Sequence, residues 1–104
     1  MEHRKYVRYS LHLPVLFVWH SGPQQRIEDG RTENISPHGI YVACDPNCCP
    51  PVGKRLRITL VLPTAEGKAA GATLKGEGRV VRTETTPGKW AGFAAQTYFK
   101  VDLR

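Results

Sequence analysis

Residues 55–62, Arg-Leu-Arg-Ile-Thr-Leu-Val-Leu, constrain the fold more than any other stretch. Leu56, Ile58, Leu60 and Leu62 recur at every second position, and Arg55, Arg57 and Thr59 alternate with them. Successive side chains on a strand point to opposite faces, so the pattern predicts a β-strand with one apolar face and one polar face. No segment shows a sustained helical period. The 8 prolines and 10 glycines are spread along the chain as punctuation. Between them lie short runs rich in β-branched and aromatic residues: 13–20, a polar run at 25–35, then 39–44, 55–62, 73–83 and 89–99. Joints fall at 21–23, 36–39, 45–53, 63–71 and 86–88.

Six short strands at this spacing predict an all-β fold, an antiparallel barrel or sandwich. A closed barrel also removes the exposed edges that a small sheet must otherwise protect. At 104 residues the chain fits one domain, residues 1–104, with an N-terminal arm (1–10) and a barrel (11–104). The arm has few apolar anchors and is expected to stay mobile until something binds it. The longest apolar run, Val15 to Trp19, is far below the ~20 residues of a spanning helix. No apolar stretch follows the opening Met-Glu-His-Arg-Lys, so no signal peptide is expected.

Cys44, Cys48 and Cys49 are odd in number, and adjacent cysteines resist pairing with each other. They read as reduced thiols of a cytoplasmic protein. Cys44 and Cys48 have the spacing of one zinc knuckle, but no second pair follows and all four histidines lie upstream. No metal site is therefore expected. No histidine sits in a visible triad, and Glu28, Asp29 and Glu33 read as a solvated strand face. The chain is not expected to be an enzyme and has no candidate catalytic residue.

Lysine and arginine number 15 against 9 acidic residues, a net charge of +6. That balance invites an anionic partner without choosing among nucleotide, nucleic acid and membrane. Two short motifs sharpen it. Arg4-Lys5-Tyr6-Val7-Arg8 carries two guanidinium forks, each able to hold a phosphate or a guanine edge bidentately. On a turn the two share a face; fully extended they lie about 13 Å apart. A solvated basic arm is the alternative. The second motif is Asn34-Ile35-Ser36-Pro37-His38-Gly39. Asn34 and Ser36 are two apart and share one side of a strand end. Pro37 and Gly39 suit the second and fourth positions of a turn. One face then offers an amide, a hydroxyl and turn N–H groups, either a cradle for a purine edge or phosphate or an ordinary capped hairpin.

The ordered pair, Arg-x-x-x-Arg and then Asn-x-Ser-x-x-Gly one strand pair later, resembles the PilZ domain family, whose members bind the bacterial second messenger cyclic di-GMP. Pro51-Val52-Gly53 with the strand after it, and Gly-Glu-Gly-Arg-Val-Val-Arg with Trp90-Ala91-Gly92-Phe93, resemble the rest of that family's layout. The resemblance implies a six-stranded antiparallel barrel of split-barrel or Greek-key type. It implies that Arg4 and Arg8 hold guanine edges and phosphates. It further implies that Asn34 bonds a guanine, Ser36 contacts guanine or phosphate, and Gly39 lets the ligand lie against the strand. Lys5, His38 and Arg82 are further candidate contacts, Arg82 by stacking.

Three features depart from the family pattern. Asn34 stands where aspartate is commoner, and an amide has one acceptor oxygen where a carboxylate has two. His3 precedes Arg4 where a second arginine is frequent, which leaves open whether one ligand binds or a stacked pair. The chain ends soon after the last strand, so the C-terminal helix many members carry is expected either to be lacking or to belong to something outside this sequence.

The expected function is a cytoplasmic, bacterial cyclic di-GMP receptor without cofactor. Its arm folds over residues 34–39 on binding and signals to a protein partner in motility, biofilm or exopolysaccharide control. Two other readings stand beside it. One is a basic barrel binding single-stranded nucleic acid, with Tyr41, Trp90, Tyr98 and Arg57 as its platform. The other is a PilZ-like interaction module without nucleotide. Against that platform, Trp90 and Phe93 are read as caps on the barrel core.

Overall fold

The computed structural model describes residues 12–62, 73–86 and 90–102, the last three as backbone only. Six strands form: β1 (Pro14–Ser21), β2 (Gln24–Ser36), β3 (Gly39–Cys44), β4 (Arg55–Val61), β5 (Thr73–Thr86) and β6 (Trp90–Asp102). They close into a barrel in the order β1-β2-β3-β6-β5-β4, with every neighbouring pair antiparallel. The chain leaves β3 and returns beside β1 as β4, so the order is a Greek-key one rather than a simple meander. The expected all-β barrel is thus the observed fold. β3 has the bounds the alternation predicts, and β2, β5 and β6 run longer.

The alternation works as hydrophobic patterning should. Val15, Phe17 and Trp19 of β1, Ile40 and Val42 of β3, and Leu56, Ile58 and Leu60 of β4 are buried in one core. Val80 of β5 and Phe93 and Ala95 of β6 complete it. Phe17 and Phe93 meet edge to face at 5.1 Å between centroids, the arrangement that ring quadrupoles favour. Burial of each large side chain stabilises by about 1.5–3 kcal/mol. β2 brings one large apolar residue to this core, Ile35, which packs against it only partly buried. Its buried member is Thr32, whose Oγ1 accepts from the Leu13 N–H at 2.8 Å while its own N–H donates to the Leu13 carbonyl at 3.0 Å.

Two expectations need correction. Trp90 stands 44% exposed at the start of β6, whereas Phe93 alone of that pair is fully buried. Trp90 has the parity opposite to buried Ala91, Phe93 and Ala95, so it faces outward. Glu28 is not on a solvated face. It points inward opposite Phe17, accepts from Arg26 Nε at 3.0 Å and Nη2 at 2.6 Å, and accepts from the Cys48 thiol at 3.3 Å. The Arg26 guanidinium also lies 5.0 Å over the Trp19 ring, so a charged pair plugs this end of the barrel.

The two hairpin turns differ in kind. Between β1 and β2, Gly22 takes φ +60° at the first central position, as a type II′ hairpin requires. Between β2 and β3, Pro37 and His38 occupy the loop and neither has positive φ. That turn cannot be of the primed types. It is held instead by the barrel: Thr97 N–H donates to the His38 carbonyl at 3.1 Å.

Candidate functional site

Arg4, Lys5 and Arg8 lie outside the described residues. The other predicted contacts are all described, and the registers bring them onto one outer wall of the barrel. Asn34 pairs with Tyr41, Tyr41 with Ala94, and Ala94 with Arg82, so these form one row across β2, β3, β6 and β5. Ser36 pairs with Gly39, Gly39 with Gln96, and Gln96 with Arg79, which makes a second row. Between the rows runs an inward one: Ile35, Ile40, Ala95 and Val80. At about 4.8 Å per strand gap, each outer row is roughly 14 Å long, and the rows stand about 7 Å apart.

Two bulges produce the first row. On β2 the register shifts between Thr32 and Asn34, with Glu33 as the extra residue. Thr32 is buried opposite Val42, so simple alternation sends Asn34 inward as well. The bulge reverses this and turns Asn34 and Ser36 outward. On β5 the register shifts between Val80 and Arg82, with Val81 as the extra residue. Val80 is buried, and the bulge again turns Arg82 out. A bulge re-aims a side chain at the cost of one ladder pairing, and bulges concentrate beside functional sites.

Tyr41 joins the row together. Its ring lies across Gly92 of β6, where an added Cβ meets ring carbons at 2.7 Å. Beyond Gly92 its hydroxyl donates to Glu84 of β5. Burial, followed by the Glu84 charge and that hydrogen bond, holds the phenol above its ordinary pKa, with Arg82 acting against them. The Arg82 guanidinium lies 5.9 Å from the Tyr41 ring centroid and its Nε is 3.3 Å from Glu84 Oε1. Arg82 therefore presents a flat cationic surface beside an aromatic one, two groups on which a purine stacks.

Gly39 is close to β6: an added Cβ meets the Ala95 carbonyl at 3.1 Å. Its φ is not positive, so the glycine serves space and not backbone conformation. Ser36 Oγ reaches the Gly39 carbonyl only weakly, at 3.5 Å, and remains available to a ligand. His38 is exposed in the turn.

The family model for the PilZ domain matches residues 2–102. This chain belongs to the PilZ domain family. Among solved structures this PilZ chain is similar to the Bacillus subtilis inhibitor of motility, MotI/DgrA, with a TM-score of 0.70 and 23% identity. The match covers 93% of this chain and 43% of that one, so the chain spans less than half of that protein's length. At this identity the likeness speaks for the PilZ barrel alone. No curated protein matches the sequence. PilZ domains are cyclic di-GMP-binding adaptor modules, and no helix among the described residues is long and apolar enough to cross a membrane.

Sequence reasoning missed the linking role of Tyr41, Glu84 and Gly92 in this PilZ wall. One signal was present. Gly39, Tyr41 and Ala43 share a parity opposite to buried Ile40 and Val42, which places Tyr41 beside the glycine of the motif. The aromatic platform of the nucleic-acid reading is not assembled. Trp90 and Tyr98 are eight residues apart on β6, about 27 Å.

Proposed function

We propose that this chain is a cyclic di-GMP receptor whose ligand lies across the two outer rows. The supporting observation is the pair of bulges, which turn Asn34 and Arg82 outward onto one row at the two ends of a 4-strand wall. Asn34 bonds a guanine edge, and Ser36 a guanine or phosphate. The open backbone at Gly39 lets the ligand approach, and Arg82 with Tyr41 forms the stacking surface. Arg4 and Arg8 close from the N-terminal side as bidentate clamps on phosphate and guanine, with Lys5 and His38 as peripheral contacts.

Ordering an arm costs roughly 1–2 kcal/mol per residue. The charge-assisted bidentate contacts and guanine stacking offset that cost. The folded arm then alters the surface offered to a protein partner, a population shift without chemistry. Motility, biofilm or exopolysaccharide output follows from the partner.

Calorimetric titration of cyclic di-GMP into the wild-type chain and an Arg4→Ala/Arg8→Ala variant tests this. Saturable binding lost in the variant is the expected result, and its stoichiometry separates one ligand from a stacked pair. Absence of heat and of spectral shift at high ligand concentration rejects the receptor reading. Hydrogen exchange at residues 1–10 tests the arm: protection unchanged by ligand is incompatible with arm folding.

A further inference from the structure

The outer wall that continues from Arg79 and Gln96 away from Asn34 carries a second feature. Ile27, Val18, Arg57, Glu77 and Tyr98 stand in cross-strand register on the outside of β2, β1, β4, β5 and β6. Tyr98 is 81% exposed, Ile27 64% and neighbouring Leu16 47%. Two grooves of about 550 and 640 Å³ flank this row and share Val18, Arg57, Glu77 and Tyr98. Large apolar side chains left together in water mark a docking surface.

The rim gives the sign of the occupant. Arg55 and Arg79 are direct cross-strand partners beside Arg57. Like charges placed opposite each other destabilise a sheet, and no ion pair relieves Arg55, Arg57 or Arg79 among the described residues. Glu77 is the one acidic residue lining either groove. An anionic partner neutralises this cluster. The apolar part of the lining is Leu16, Val18, Ile27, Leu56 and Ile58, with Tyr98 and His20 as its two aromatic rings, too few to stack successive bases. Because the barrel is closed, a partner strand finds no free edge, and recognition falls to side chains.

We propose that this face docks a protein segment in which acidic residues alternate with aliphatic ones. The acidic groups face Arg55, Arg57 and Arg79, and the aliphatic groups enter the grooves beside Ile27 and Tyr98. The inference does not depend on nucleotide binding.

The test is a ¹⁵N-edited NMR titration of the whole chain, without nucleotide. The probe is an acetylated, amidated dodecapeptide of alternating glutamate and leucine. A lysine–leucine counterpart and a uridine decanucleotide serve as comparisons. Saturable shifts centred on residues 16–18, 27, 55–59, 75–79 and 96–98 are expected with the acidic peptide. Arg55→Glu/Arg57→Glu and Ile27→Asp should each weaken binding at least about tenfold, with melting temperatures showing that both variants fold. Absence of shifts at millimolar peptide, shifts centred elsewhere, or an equal response to the lysine–leucine peptide overturns the proposal. Tighter binding of the decanucleotide here makes the face a nucleic-acid surface, and a dimer abolished by Ile27→Asp makes it a self-association surface. Either replaces the proposal. All these outcomes leave cyclic di-GMP titration unaffected as a separate measurement.

Discussion

Thr32 and Asn34 are two residues apart on one strand, yet they project to opposite faces of the barrel. Thr32 is fully buried against Val42, while Asn34 stands outside opposite Tyr41, because Glu33 bulges between them. The two positions should therefore separate stability from binding. Thr32→Val leaves the Leu13 N–H without its 2.8 Å acceptor and should cost about 1–3 kcal/mol, with cyclic di-GMP affinity unchanged. Asn34→Ala should leave stability within about 0.5 kcal/mol and lower affinity at least about tenfold. Thermal melts and calorimetry on both variants decide. A shared effect on stability and binding at either site contradicts the bulge assignment.

Gly92→Ala should act on the ligand through Tyr41. The new methyl meets the Tyr41 ring at 2.7 Å, so the ring must leave the wall and Arg82 loses its aromatic neighbour. Overpacking of this kind typically costs about 1–3 kcal/mol. The expected outcome is a lower melting temperature with weaker nucleotide binding. Tyr41→Phe, which keeps the ring and removes the bond to Glu84, should retain most of the affinity.

Asn34→Asp should tighten binding. A carboxylate accepts from both guanine N1–H and N2–H, and hydrogen bonds to a charged group exceed neutral ones by about 1 kcal/mol. The gain is about fivefold in the dissociation constant. Calorimetry beside the wild-type chain measures it, and unchanged or weaker affinity places the guanine edge elsewhere.

The thiols predict an alkaline limit. Burial first, and then Cys49, push Cys44 up from 9.0 to about 12. Burial first, and then the bond to Glu28, push Cys48 to about 11. The folded chain holds these protons where the unfolded chain, ionising near 9.0, releases them. Their stabilisation is thus complete below pH 9 and is lost as pH rises through about 11 to 12. Urea midpoints should be flat from about pH 7 to 8.5 and fall above about 9, less steeply in Cys44→Ala/Cys48→Ala. Iodoacetamide at pH 8 should react slowly with the native chain and quickly in urea, because the thiolate is the nucleophile.

The strands were legible because a barrel sorts residues by alternation, and residues 55–62 state that alternation without interruption. The turn at 36–39 was legible because proline fixes φ. Both bulges were not. Alternation alone puts Asn34 with Thr32 and Arg82 with Val80, and only the facing strand shows which residue is extra. Asn34, Ser36 and Gly39 were found through the spacing of a motif, which is indifferent to the bulge upstream of it. Trp90 misled because size suggests burial, whereas its parity, opposite to Ala91 and Phe93, turns it outward. Glu28 misled because β2 reads as polar throughout, and nothing local reveals that Arg26 and Cys48 fold onto it at the barrel's end.

Glu84 has a consequence for which anions this wall can tell apart. In the free protein its carboxylate already occupies Arg82 and receives the Tyr41 hydroxyl. In the proposed complex an arriving nucleotide exchanges one anion for another at Arg82 instead of filling an empty cation. Inorganic phosphate, with nothing but charge to offer, gains little from that exchange. A ligand with a flat base gains stacking on the freed guanidinium and the tyrosine ring. In the proposed binding mode, the resident carboxylate thus favours a ligand that adds a stacking base to its charge over one that brings charge alone.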